Sequence, residues 1–289
     1  MATANTMTMG TNFPSVLSDE IFNKVRGKSS LAKLSQQIPV SFTGTDVFTF
    51  NFDNELSIVA ENGQKVAGGA TVAPVSITPI KVEYGARVSD EFMTASEEHQ
   101  LEMLAEFQNA FASKVAKGLD IMALHGYNPY TGTASAVIGT NHLDSKATAV
   151  SGQTSIEAGM AAAAAAITNY DINGVILSKA AGAELGQLKE NGVSVYPQLK
   201  WGGQIDEING LKADVNVTAD ASAAVAYAGD FSAFKWGYAK DIFFKVIEYG
   251  DPDNTGVDLA GSNQVYLRGE AYIGWGIMDG AAFAKVTEA

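Results

Sequence analysis

Three clusters in this 289-residue sequence have residue types and spacings that invite a chemical reading. Ser30 and Lys33 stand at Ser-x-x-Lys spacing, which puts an amine one helical turn from a hydroxyl that it could activate as a nucleophile. The Lys-Thr-Gly triplet that completes such a site is absent, so the pair reads as fortuitous. Asp251, Asp253, Thr255, Gly256 and Asp258 resemble the opening of a calcium loop. Such a loop needs a carboxylate at its twelfth position, where this chain has Ser262, and helices rather than strands on its flanks. A plain acidic turn is the better reading. Gly274, Gly276 and Gly280 have the wrong spacing for a phosphate-binding loop, and no strand-to-helix switch follows. Glycines placed so suit close packing within a strand.

Lesser motifs are weaker. Asn216-Val217-Thr218 is a glycosylation sequon without an export signal. Glu97, Glu98 and His99 read as a solvated helix start favoured by the helix dipole. Trp201 sits in a glycine-flanked loop without convergent charges, which favours an interface anchor over a ligand stacker. There is no cysteine, and His99, His125 and His142 are the only histidines, so thiolate and histidine-rich metal sites are excluded. No catalytic residue, metal site or cofactor is expected, and the chain reads as a non-enzyme.

The bulk composition points the same way. Hydrophobic residues make up 46 % of the chain and charged residues 18 %, enough apolar content to build a core. Net charge is −13, and Arg26, Arg87 and Arg268 are the only arginines, which argues against tight direct binding of nucleic acid. The first basic residue is Lys24, so no signal peptide is visible. The apolar run Ala158–Ile167 is about half the ~20 residues that span a bilayer, and no membrane partner is expected.

The elements that would position these residues follow from periodicity. Residues 1–45 read as an arm, with a short helix Asp19–Val25 capped by Ser18 and ended by Gly27. Residues 46–88 read as a long hairpin. Phe48, Phe50 and Phe52 alternate with polar residues on one strand, and Ile80–Val88 alternates on the return strand. Glu61-Asn62-Gly63 and Gly68-Gly69 lie in the turn region between them. Leu101, Leu104, Phe107, Phe111, Val115, Leu119 and Met122 recur at helical spacing, predicting one long helix over 96–125, capped by Ser96 and stopped by Gly126. It would span about 45 Å at ~1.5 Å per residue. Residues 150–240 read as an α/β unit. Its first helix is Ala158–Ile167, with Thr154 and Glu157 at capping-box spacing. Strand Val175–Leu177 follows, then a Ser178-capped helix ending near Asn191-Gly192, then strands at Ala213–Val217 and Ala224–Gly229. Residues 241–289 read mainly as strand, with Gln264–Ile277 a long alternating run.

This order of elements, together with local motifs, resembles the major capsid proteins of tailed bacteriophages of the Hong Kong 97 type. Arg87-Val88-Ser89-Asp90-Glu91-Phe92-Met93 resembles the family's entry into its spine helix. Gly118-Leu119-Asp120, Leu124-His125-Gly126 and Asn128-Pro129-Tyr130-Thr131-Gly132 resemble the exit. Leu188-Lys189-Glu190-Asn191-Gly192 and Ile208-Asn209-Gly210-Leu211 resemble the axial-domain loop and the strand after it. Gly229-Asp230-Phe231-Ser232, Arg268-Gly269-Glu270-Ala271 and Ala282-Phe283 resemble the late segments.

The resemblance implies an α+β fold of the Hong Kong 97 type. Residues 1–45 would form the N-arm, 46–88 the extended β-hairpin loop, and 89–134 the spine helix and the first part of the peripheral domain. Residues 135–240 would form the inserted axial domain, and 241–289 the closing strands of the peripheral domain. It implies a major capsid protein that self-assembles into pentamers and hexamers of an icosahedral head, enclosing double-stranded DNA without sequence-specific binding. Copies of the chain itself, a portal protein and a separate scaffolding or decoration protein are the implied partners. The location would be the virion, after assembly in the bacterial host cytoplasm. Exposure on the hairpin and loops nominates Lys65, Lys81, Glu83, Arg87 and Trp201 as inter-subunit residues. Some relatives crosslink a loop lysine to a neighbour's asparagine. Lys65 occupies the hairpin tip, but no partner asparagine is identifiable, and a solvated lysine is the default. An encapsulin-type compartment shell, and less so a metabolite- or cation-binding α/β protein, are the alternatives.

Overall fold

The chain builds one long helix and two main sheets, each assembled from strands far apart in sequence. The architecture is that of a computed structural model describing residues 28–52, 54–91 and 97–287. The expected helix Asp19–Val25 and the expected caps Ser18 and Ser96 lie outside these residues. In chain order, α1 (Ser30–Leu34) and β1 (Gln36–Gln37) precede a ribbon of β2 (Thr45–Phe52) and β3 (Ala70–Ile77). β4 (Ile80–Ser89) leads towards α2 (Glu97–Asp120), which continues through a π-helical turn, Ile121–His125, to Gly126. The small hairpin β5 (Tyr127–Asn128) and β6 (Thr133–Ala134), the turn-length helix α3 (Leu143–Lys146) and β7 (Thr148–Val150) follow. Next come α4 (Ile156–Ala166), β8 (Gly174–Leu177) and α5 (Lys179–Gln187). β9 (Lys189–Glu190), β10 (Val193–Ser194), β11 (Glu207–Ile208), β12 (Leu211–Val215) and β13 (Ala224–Gly229) lead to three closing strands: β14 (Phe234–Ile247), β15 (Gln264–Ile277) and β16 (Phe283–Thr287).

The four-stranded sheet has the order β1-β14-β15-β4, with only β1 parallel to its neighbour. α2 lies across it. Phe111, Val115 and Leu119 face inward at helical spacing, and Phe111 meets Phe244 edge-to-face at 5.4 Å. Gly269 permits this contact, because a Cβ there would stand 2.8 Å from the Phe111 ring. The six-stranded sheet has the order β11-β12-β8-β13-β16-β7. Its central strands β8 and β13 are buried at every position, as expected for strands covered on both faces.

Several expectations change. Ile80–Ser89 is not the return strand of the hairpin: β2 pairs with β3, in register from Thr45↔Ile77 to Phe52↔Ala70, while β4 pairs along its whole length with β15. The alternation of β4 was read correctly as a strand, but alternation carries no information about the partner. The closing region is also divided. β14 already begins at Phe234, and β16 leaves the four-stranded sheet to fill the gap between β13 and β7. Phe283, Ala284 and Val286 bury their side chains there, which nearness in sequence to β15 concealed. Ser155, rather than Thr154, caps α4 by accepting from Ala158 N. α5 ends at Gln187, and Asn191 (φ +50°) with Gly192 (φ +84°) forms the two-residue turn between β9 and β10. Ser178 caps α5 as expected.

Candidate assembly surfaces and buried polar clusters

The ribbon exposes several large apolar side chains. Its strands alternate, yet the face bearing Phe48 (67 % exposed) and Val72 (51 %) turns to solvent. The connecting segment leaves Leu56 and Ile58 fully exposed. A two-stranded ribbon with such a face needs a surface to lie on. Its root is fixed to β15, where Ile77 is fully buried against Gly274 and Gly276. A Cβ on either glycine would come within 3 Å of Ile77, so these glycines serve packing, as the sequence suggested.

The nominated interface residues fall into different settings. Lys65 is exposed in the connecting segment between β2 and β3. Lys81 and Glu83 lie on the solvent face of β4, paired to each other at 2.9 Å, and Lys81 also reaches Glu270 at 3.3 Å. They edge a groove of about 640 Å³ between β4 and α2 that Phe111, Val115 and Met122 also line. Trp201 is 89 % exposed, with Lys200 Nζ 5.7 Å from its ring centre. Arg87 differs, because its side chain is committed within the chain. It donates to Asp251 Oδ1 at 2.7 Å, Thr255 Oγ1 at 2.6 Å and the Val257 carbonyl at 3.0 Å, and makes a two-pronged contact with Asp253. The acidic turn that resembled a calcium loop therefore already holds a cation, the Arg87 guanidinium. Hydrogen bonds from Arg87 hold Asp253 down at about 2.

Two buried clusters knit the elements together, and the sequence reading missed both. Asp120 is fully buried at the end of α2, where a carboxylate opposes the helix dipole. Five donors surround it: Ser29 Oγ at 2.6 Å, Ser30 N at 2.9 Å, Leu31 N at 3.2 Å, Asn216 Nδ2 at 3.2 Å and Thr218 Oγ1 at 3.0 Å. Burial pushes its carboxyl up to about 6 against the pull of these bonds. Next to it, Ser30 Oγ donates to Asp214 at 2.6 Å, and Lys33 reaches Asp214 and Asp206 at 3.1 and 2.7 Å. The Ser-x-x-Lys pair thus faces two carboxylates, and α1 fastens the long helix to the edge of the six-stranded sheet. Asn216 of the sequon is engaged in the same cluster.

The second cluster lies one turn further on. His125 is buried, with Nε2 2.7 Å from the Thr218 carbonyl and Nδ1 2.8 Å from Asp144. Both ring nitrogens therefore face oxygen atoms of other elements. Asp144 also accepts from Tyr227 at 2.7 Å, and Lys285 Nζ lies 3.7 Å away. Burial pushes the Asp144 carboxyl up, but hydrogen bonds from His125, Tyr227 and Ser222 outweigh it and hold it down at about 2. The Tyr227 hydroxyl beside this His–Asp pair donates to Asp144, so the cluster ties the end of the long helix to β13. A carboxylate at a helix C-terminus and a lone histidine closing an apolar stripe were the available signals. Among the described residues, no group of three or more acidic, His or Cys side chains is placed to hold a metal ion, and no helix is long and apolar enough to cross a membrane.

The subunit thus combines a sheet carrying an exposed ribbon, a long helix laid across it, and a second sheet tied to the helix end. Comparison with protein families matches residues 10–287 to the phage capsid family. The chain belongs to the phage capsid family: it is a major capsid protein of a phage head, with a fold of the Hong Kong 97 type. A solved structure from Mycobacterium phage Ogopogo is 30 % identical, with a TM-score of 0.76 over 91 % of this chain and 92 % of that one. One from Gordonia phage Cozz is 23 % identical, with a TM-score of 0.74 over 91 % of this chain and 87 % of the other. A structure described as the capsid of a native GTA particle computed with C5 symmetry shares the fold at 14 % identity, with a TM-score of 0.64 over 90 % of each chain. No curated protein sequence matches.

Proposed function

We propose that the chain assembles with copies of itself into pentamers and hexamers of a closed icosahedral head around double-stranded DNA, and that it catalyses no reaction. The observation that carries this reading is the ribbon. Phe48, Leu56, Ile58 and Val66 are 67 %, 100 %, 101 % and 68 % exposed, and a neighbouring copy is the surface that would cover them. Lys65, Lys81, Glu83 and Trp201 are exposed side chains available to inter-subunit contacts. Arg87 acts there indirectly, by shaping the turn 251–257. A net charge of −13 suits a container that must not clamp its own contents. In this reading, residues 1–45 are the arm, the β2–β3 ribbon is the extended loop, and the six-stranded sheet is the axial body. A portal and a scaffolding or decoration protein complete the particle, which forms in the bacterial cytoplasm.

The test is the joint variant Phe48→Ser, Ile58→Ser, compared with wild type by sedimentation and circular dichroism. The reading expects an unchanged subunit spectrum and a loss of large particles. Particles that form as in wild type would remove the ribbon from the interface. The contents of wild-type particles separate a phage head from an encapsulin-type compartment: DNA supports the former, a packaged enzyme the latter.

A further inference from the structure

The polar clusters at the end of α2 finish in one side chain whose needs are not met. His142, the residue before α3, lays its ring on Gly126, where the long helix stops. A Cβ at Gly126 would fall 2.5 Å from His142 Cδ2 and 2.8 Å from Nε2, and Gly126 has φ +72°. Glycine is thus required both by the turn and by the ring seated on it. The Leu124 backbone hydrogen-bonds to the ring, but Nδ1 is buried and has no hydrogen-bond partner among the described residues. A neutral ring leaves one bare lone pair there. A protonated ring places an N–H and a positive charge at the same buried point, which is far more costly.

The charged neighbours do not rescue it. Asp144 attracts the ring, while His125 and Lys285 repel it. Asp144 is already shared by His125 at 2.8 Å, Tyr227 at 2.7 Å and Lys285 at 3.7 Å. Burial dominates and lowers the affinity of His142 for a proton. His125, by contrast, has both nitrogens engaged.

We propose that His142 is an acid-sensing stop at the end of the long helix: neutral, it seals the Gly126 turn; protonated, it leaves that seat and frees the connection from α2 to the six-stranded sheet. The path of the change is short. α3 follows His142 directly, and Lys285 of β16 donates to the Asp144 carbonyl at 2.7 Å. Loosening His142 therefore reaches β16 through one hydrogen bond. A histidine held below its ordinary 6.5 stabilises the fold above that pH and loses its contribution as pH falls beneath it. Asp120, raised to about 6, acts in the opposite sense over pH 6 to 4, so global melting mixes the two and a local readout is needed.

The experiment is deuterium exchange on the full-length protein between pH 8 and pH 5, read by mass spectrometry. Exchange at the imidazole C2 position reports each histidine separately, and the chain has only three. Amide exchange at residues 124–128 and 141–147, corrected for its intrinsic pH dependence, reports the seat. The expected result is a His142 midpoint below 6.5 and amide exchange at these residues several-fold faster at the acidic end. His142→Phe and His142→Gln, one apolar and one polar, should each remove that acceleration; the pair covers the case in which one of them does not fold. A His142 midpoint at or above 6.5, amide protection indifferent to pH in wild type, or acceleration retained in either folded variant would overturn the proposal.

Discussion

Asp144 is held from three elements at once, by His125 at the end of the long helix, Tyr227 of β13 and Lys285 of β16. Replacing it with Ala strands a buried imidazole and a buried phenol, and is expected to cost about 3 kcal/mol in urea unfolding of the subunit. Its carboxyl sits at about 2 against an ordinary 3.8, so its contribution is complete above pH 3.8 and is lost as pH falls through 2. Asp120 has the opposite sign. Raised to about 6, it gives the fold added stability as pH falls from 6 towards 3.8, and Asp120→Asn should flatten that part of the stability–pH curve. Arg87→Met should leave the fold intact but accelerate amide exchange in residues 250–258, because the guanidinium is the cation around which that turn closes. Little of this was legible in the sequence. The turn reads in the sequence as a plain acidic turn, because the guanidinium it holds lies 164 positions away from Asp251 and spacing cannot show a partner at that distance. Ser30 and Lys33 read as a fortuitous pair in the sequence, and their carboxylate partners Asp214 and Asp206 were invisible for the same reason.

Elements were legible wherever the period was long and strict. The bounds of β15 coincide with the alternating run Gln264–Ile277, and the long helix occupies its expected span as far as the described residues show. Pairing was not legible. Alternation marks a strand but does not choose its neighbour, so β4 was assigned to the ribbon when it belongs beside β15, and β16 was kept with the wrong sheet. The glycines of β15 could have been informative, since Gly274 and Gly276 mark where another element approaches closely, but they do not say which. The element seated there is the ribbon root. Gly276→Val would drive side-chain atoms into Ile77, and is expected to destabilise the subunit by about 1–3 kcal/mol and to loosen the ribbon before the sheet, as measured by amide exchange over residues 70–77.

At the scale of the molecule, two properties set the behaviour. The acidic balance keeps subunits apart and keeps the protein from gripping polyanions. The exposed apolar ribbon pulls the other way and rewards contact between copies. Assembly is therefore expected to strengthen with salt, which screens the repulsion and leaves the apolar term intact. Light scattering at rising ionic strength checks this. The central claim, that the chain is the building block of a closed shell, is tested most directly by negative-stain electron microscopy of the expressed protein after size-exclusion chromatography. Closed particles, or rings of five and six subunits, are the predicted result. A homogeneous monomer that forms neither, even when co-expressed with the products of neighbouring genes, would contradict it.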